Sequence, residues 1–233
     1  MDQPPGFEVS VSGVSAGFHA SKTDNSLFIQ KSPENILLLM VYVDDIVKTG
    51  IEVQQMAQGL LFSQKKYVSK ILNKTRMLDA AATPNPMVST PKLTTTDNSP
   101  LFLDAHLYQS TVGMLQCLCI TRPNLSFYVN KLSQYMNLPS ENHWKAVKRV
   151  LKYLSGTIDH GLYFSKGQAK VVCYSDADWA SSVEDRRSTT GYAMYLGPNL
   201  VAWSSKKQVV VSRSSSEAEY HSLANYLSDL LWV

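Results

Sequence analysis

Residues 140–178, SENHWKAVKRVLKYLSGTIDHGLYFSKGQAKVVCYSDAD, change their hydrophobic pattern part-way along, and that change sets the fold class. As far as Gly156, the apolar residues Trp144, Val147, Leu151 and Leu154 recur every three or four positions, the inner stripe of an α-helix. Ser140 stands where an N-cap belongs and Gly156 where the helix would stop. From Lys170 the pattern turns to strands, the first over 171–175. Helices and strands in separate runs, rather than in strict alternation, predict an α+β chain.

Working outward, the same period places helices over 105–120 and from Pro123, where Leu125, Tyr128, Val129, Leu132 and Met136 share a face. Upstream, 27–31 and 36–43 read as strands, with 46–49 returning after a turn at Asp44-Asp45. Residues 52–63 predict a hairpin pivoting near Gly59, and 67–80 a helix with Tyr67, Ile71 and Leu78 on its apolar side. The first 26 residues, rich in Gly, Ser and Pro, read as loosely ordered, and the Pro/Thr-rich stretch 83–100 as an extended connector. Downstream, 191–196 and 200–205 read as two more strands, and a final helix starts near Ser215. The 170–233 part is therefore expected to hold a three-stranded sheet and one helix.

The 233 residues carry 22 Lys+Arg against 19 Asp+Glu, a balance that excludes both a disordered acidic tail and a strongly basic arm. The mild net charge hides an uneven distribution. Residues 101–170 hold 8 basic and 3 acidic side chains, whereas 171–233 hold 5 basic and 7 acidic. Three cysteines without CxxC or Cys/His spacing argue against a disulfide framework or a structural zinc site and fit a reducing, intracellular setting. The longest apolar run, residues 36–43, is far short of the roughly 20 residues a membrane helix needs. With no secretory leader visible at the N-terminus, a soluble chain is expected.

Four groups of residues have patterns that suit chemistry. Asp44 and Asp45 follow an apolar strand, an arrangement that would hold a divalent cation through hard oxygen ligands, although aspartates also favour ordinary turns. Asp176 and Asp178 lie two apart at a strand end and share a side if the strand continues. Glu217, in Ser214-Ser215-Ser216-Glu217, is either an active carboxylate or the acidic member of a capping box, and Glu219 would complement the helix dipole. Lys145, Lys148, Arg149 and Lys152 repeat at i, i+3, i+4, i+7 on the outer side of the 140–156 helix, suited to adjacent phosphates or to a solvated face.

The blocks TRPNLSFYVNKLSQYM (121–136), HWKAVKRVLKYLSGT (143–157), YSDADWA (174–180), DRRSTTGYAMYLG (185–197) and WSSKKQVVVSRSSSEAEY (203–220) resemble, in order and spacing, the Pol polyprotein of plant copia-type LTR retrotransposons. Tyr42-Val43-Asp44-Asp45 is similar to the metal-binding hairpin of reverse transcriptases. The resemblance implies a palm and thumb remnant over 1–82, a linker over 83–100, a helical connection over 101–169 and the first half of a ribonuclease H-like domain over 170–233. It implies Mg²⁺ as cofactor, held by Asp44 and Asp45 in one site and by Asp176 and Glu217 in another, with Tyr42 against the nucleotide. Lys145, Lys148, Arg149 and Lys152 would follow an RNA–DNA hybrid, and other Pol polypeptides are expected partners.

The same resemblance implies that both metal sites are short of carboxylates. QPPGFE (3–8) resembles text lying after a further palm aspartate, a helix and strand are skipped after Gly50, and the third and fourth ribonuclease H carboxylates would lie past Val233. Two-metal chemistry needs ligands converging to hold ions about 3.5–4 Å apart. The expectation is a chain inactive in polymerisation and hydrolysis; the alternatives are a hybrid-binding remnant without catalysis, or a truncated product with no role.

Overall fold

The computed structural model describes residues 18–20, 27–31, 36–42, 45–48, 50–88, 92–96, 98–168 and 170–230. It is an α+β chain, as the separated periods predict. Strands β1 (Phe18–Ala20), β2 (Leu27–Lys31), β3 (Ile36–Tyr42) and β4 (Asp45–Lys48) form an antiparallel sheet in that order. The apolar run Ile36–Tyr42 lies between two neighbours, with Leu27 opposite Met40 and Val41 opposite Ile46. The expected loose N-terminal stretch contains one ordered piece. Phe18–Ala20 pairs with β2, Phe18 opposite Gln30, and this non-local partner supplies an order that the local sequence does not signal.

Strands β5 (Glu52–Met56) and β6 (Gly59–Ser63) form the hairpin expected over 52–63, turning at Ala57-Gln58 so that Gly59 opens the return strand. A third strand, β7 (Gly161–Ser165), pairs with β6. No local period predicts a strand there. Its register needs Gly161: a Cβ at this position would lie 2.2 Å from the Phe62 carbonyl oxygen. Phe62 and Phe164 meet edge to face, their ring centroids 5.1 Å apart.

Helices α1 (Lys65–Lys74), α2 (Ala105–Leu118), α3 (Ser126–Ser133) and α4 (Glu141–Ser155) bury one common core. It is built from Val68, Ile71 and Leu72 of α1, Val112 and Leu115 of α2, Val129 and Leu132 of α3, and Val147, Leu151 and Leu154 of α4. Helix α1 is shorter than the expected 67–80. The Thr75 hydroxyl bonds back to the Ile71 carbonyl at 2.9 Å, and Arg76 takes a left-handed φ of 55°, which ends the helix. Leu78 is consequently exposed rather than on the apolar side. Pro123 opens a 3-10 turn, Pro123–Leu125, that runs directly into α3. Residues of the Pro/Thr-rich stretch lie against this core: Tyr135 donates to the Leu93 carbonyl at 2.8 Å, and the Thr83 amide to the Lys152 carbonyl at 3.4 Å.

The last part holds the expected three strands and one helix, but the sheet is antiparallel throughout rather than the mixed sheet that the resemblance implies, in the order β10 (Asn199–Lys207), β9 (Thr189–Leu196), β8 (Val171–Asp178), with α5 (Ser215–Leu230) on one face. Ala218, Ser222 and Tyr226, four residues apart, form the buried stripe of α5. Asn199 ties this sheet to β7, its side chain accepting from the Ser165 amide at 2.7 Å and donating to the Ser165 carbonyl at 2.9 Å.

Candidate nucleic-acid interface and carboxylate strand

Helix α4 owes its position to a strong start and a fully apolar inner side. The Ser140 hydroxyl accepts from the His143 amide at 3.3 Å, and His143 Nδ1 accepts from the Ser140 amide at 3.0 Å, so an imidazole takes the part usually played by Glu in a capping box. Trp144, Val147, Val150, Leu151 and Leu154 are buried. This leaves the basic side outward. Lys145 and Lys148 are exposed, and Arg149 and Lys152 are half-buried. Lys145 donates to the Asn142 side chain at 3.2 Å, Lys148 lies 6.0 Å from the centre of the Trp144 ring, and Arg149 Nε has no hydrogen-bond partner among the described residues. From Lys145 to Lys152 the helix rises about 10 Å, close to three phosphates at about 3.4 Å of axis per strand charge.

Strand β8 continues through Asp178, so Asp176 and Asp178 share a side as their spacing predicted. Tyr174, Asp176 and Asp178 are exposed, and Cys173, Ser175 and Ala177 alternate with them as the half-buried set. Helix α5 covers the Cys173 side, where the Tyr226 hydroxyl bonds the Cys173 thiol. The two aspartates therefore project from the face opposite α5. Glu217, in the first turn of α5, has its carboxylate engaged by the Arg213 amide at 2.7 Å, and its own amide donates to the Ser214 hydroxyl at 3.2 Å. The capping reading describes this geometry, shifted by one residue from a reciprocal box. Glu219 is the α5 acid that reaches β8, accepting from the Ala177 amide at 3.3 Å.

Among the described residues no three His, Cys, Asp or Glu side chains gather into a metal-binding group. Asp44 lies outside the described residues. Asp45 opens β4 in register with Tyr42. The cysteines are free, and burial pushes the Cys119 thiol up to about 11, away from thiolate chemistry.

One feature was not anticipated from the sequence. A cavity of about 480 Å³ opens where α3, Met87, Val88, Lys92 and Leu93 come over the aspartate face of the sheet. Phe127, Lys131 and Lys92 line it together with Asp178 and Thr189. The i, i+4 spacing of Phe127 and Lys131 is a signal that would have placed both on one side of α3. No helix among the described residues is long and apolar enough to cross a membrane.

No protein-family profile matches the chain, and no solved structure does. Curated relatives match well. The retrovirus-related Pol polyprotein from transposon RE2 of Arabidopsis thaliana is 43% identical over 94% of this chain and 17% of its own length. The Pol polyprotein from transposon TNT 1-94 of Nicotiana tabacum is 28% identical over 88% of the chain and 18% of its own length. An uncharacterized mitochondrial protein of Arabidopsis thaliana is 42% identical over 78% of the chain and 76% of that protein. The chain thus spans less than a fifth of the Pol polyproteins it matches. With 42% identity across three-quarters of a relative of comparable length, and Pol polyproteins aligned along nearly the whole sequence, the chain belongs to the retrovirus-related Pol polyprotein family of plant copia-type retrotransposons.

Proposed function

We propose that this chain binds an RNA–DNA hybrid along the basic side of α4 and neither extends nor cuts it. The observation that carries the reading is the pairing of a buried apolar stripe with a basic side on the same helix, Lys145 and Lys148 exposed and Arg149 and Lys152 half-buried beside them. A row fixed this way meets phosphates without first ordering a flexible segment, and neutralising them releases counterions.

In this reading residues 170–233 are the ribonuclease H-like part, 101–169 the connection and 1–82 the palm and thumb remnant, with Tyr42, Asp44 and Asp45 in the polymerase hairpin. Mg²⁺ is the cation that hard carboxylate oxygens would take. The donors fit it in type but not in arrangement. Asp176 and Asp178 face away from α5, and the Glu217 carboxylate is held by the Arg213 amide. Two ions about 3.5–4 Å apart need ligands that converge, so no hydrolytic step follows from this geometry.

The test is hybrid binding by fluorescence anisotropy across a potassium chloride series. Lys148→Ala should flatten the slope of log K against log salt by about one. An unchanged slope would falsify the interface and leave α4 a solvated helix. Separately, Mg²⁺-dependent hybrid cleavage by the pure chain, abolished by Asp176→Asn, would overturn the absence of catalysis.

A further inference from the structure

The cavity over the aspartate face combines groups that complement one another. Its volume of about 480 Å³ falls within the ~300–1,000 Å³ typical of small-molecule sites. Lys131, on α3, is half-buried, and no ion pair to it exists among the described residues. Glu184 and Asp185 act on Lys131 electrostatically, and each also has another partner. Asp185 is bonded by Lys207 at 2.9 Å, and Glu184 accepts from the Thr95 amide. Among the charged residues that line the cavity, Lys131 and Lys92 stand with the single acid Asp178. Beside the lysines, Phe127 is 41% exposed and makes a T-shaped contact with Tyr128, centroids 5.5 Å apart, so part of its ring remains open. An aromatic face next to paired cations is the pattern that receives a base and its phosphate.

We propose that this cavity holds one nucleotide of a single-stranded segment, with its phosphate against Lys131 and Lys92 and its base on Phe127. The inference rests on the nucleic-acid reading of the chain and deepens it, because Asp178 places the cavity on the same side of β8 as Asp176. Burial draws the Lys131 ammonium pKa down, with Lys207 and Lys92 adding to this and Glu184 and Asp185 opposing it, so a bound phosphate would add counter-charge to that of the two acids.

Equilibrium dialysis of labelled AMP against the full chain tests this. AMP should be retained, and an adenine hexanucleotide should displace it. Lys131→Gln and Phe127→Ala should each weaken retention by about tenfold. Lys92→Gln, at an exposed position, should weaken it in a protein whose fold is undisturbed. The proposal is overturned if AMP is not retained, or if the lysine variants retain it unchanged. It is equally overturned if inorganic phosphate competes as well as AMP, which marks a bare anion site, or if the hexanucleotide fails to displace AMP, which marks a site for free mononucleotides. Hybrid binding measured in parallel separates the two readings. Retention of AMP without hybrid binding removes the α4 interface and leaves the cavity, and the reverse result removes only the cavity.

Discussion

The Arg122 guanidinium closes on Thr157 with two hydrogen bonds, one nitrogen to the carbonyl oxygen at 2.9 Å and the other to the hydroxyl at 2.9 Å. Arg122 is 2% exposed, its Nε donates to the Asn124 side chain at 3.2 Å, and its plane lies 5.5 Å from the Tyr153 ring centre. Thr157 follows directly on α4, so this one cation joins the α2–α3 connection to the negative end of the basic helix. Burial pulls the guanidinium pKa down, and Tyr153, by its charge and a hydrogen bond, opposes that together with Cys119.

Lysine keeps the charge at 122 but cannot span the fork. Arg122→Lys should cost about 2–3 kcal/mol, because a desolvated cation then loses geometry-matched acceptors. Urea unfolding of the two proteins measures this. A midpoint within error of the parent would mean the cluster is decorative.

His143 gives a second prediction. Its Nδ1 accepts from the Ser140 amide, its Nε2 lies 3.0 Å from the Thr94 carbonyl, and its ring stacks on Tyr135 with centroids 4.0 Å apart. One side chain therefore caps α4 and holds the Pro/Thr-rich stretch to it. His143→Ala should lose about 1–2 kcal/mol, the usual range for a removed cap. It should also raise amide exchange at the start of α4 before exchange rises elsewhere. Uniform loss of protection would contradict a local capping role.

These two residues also show what the sequence makes legible. The α4 period, its Ser140 cap and its Gly156 stop are all local, and the structure follows them. The i, i+2 spacing of Asp176 and Asp178 likewise forecasts a shared face, because strand alternation is local. Strand β7 is different. Its five residues gain order by pairing Tyr163 with Leu61, about a hundred positions upstream, and no neighbouring residue announces that partner. The choice between Glu217 and Glu219 is likewise non-local, since it depends on where α5 sits along β8. The cavity combines side chains from three separate segments, which period and motif cannot bring together.

Asp185 should make a small, pH-dependent contribution. Burial works to raise its carboxyl, but hydrogen bonds from Ser182, Lys207 and the Arg187 amide prevail and bring it to about 2. The unfolded chain titrates near 3.9. A depressed folded-state pKa means the stabilisation is complete above the unfolded value and is lost as pH falls through the folded one. With the side chain 38% exposed, the effect should stay below about 1 kcal/mol. Urea midpoints of the parent and Asp185→Asn should differ by a constant amount from pH 7 to 5 and converge between about pH 4 and 2. A gap that widens on acidification would reverse the sign and refute the assignment.

Glu217 is where capping and catalysis make opposite demands on one side chain. As a cap, its carboxylate needs only an acceptor oxygen 2.7 Å from the Arg213 amide, while His221, one turn on, lies 3.8 Å away. Glutamine supplies such an oxygen and alanine does not. Glu217→Ala should therefore destabilise the chain by about 1 kcal/mol, and Glu217→Gln by less than half of that. A metal ligand would behave differently, because an amide is a much poorer partner than a carboxylate for a hard dication. If Mg²⁺ raises the parent's thermal midpoint and Glu217→Gln abolishes that rise, Glu217 is turned toward a cation in solution and the Arg213 contact is not its working state. If both proteins respond to Mg²⁺ equally, the residue belongs to the helix start, and any ion bound by this chain is held elsewhere.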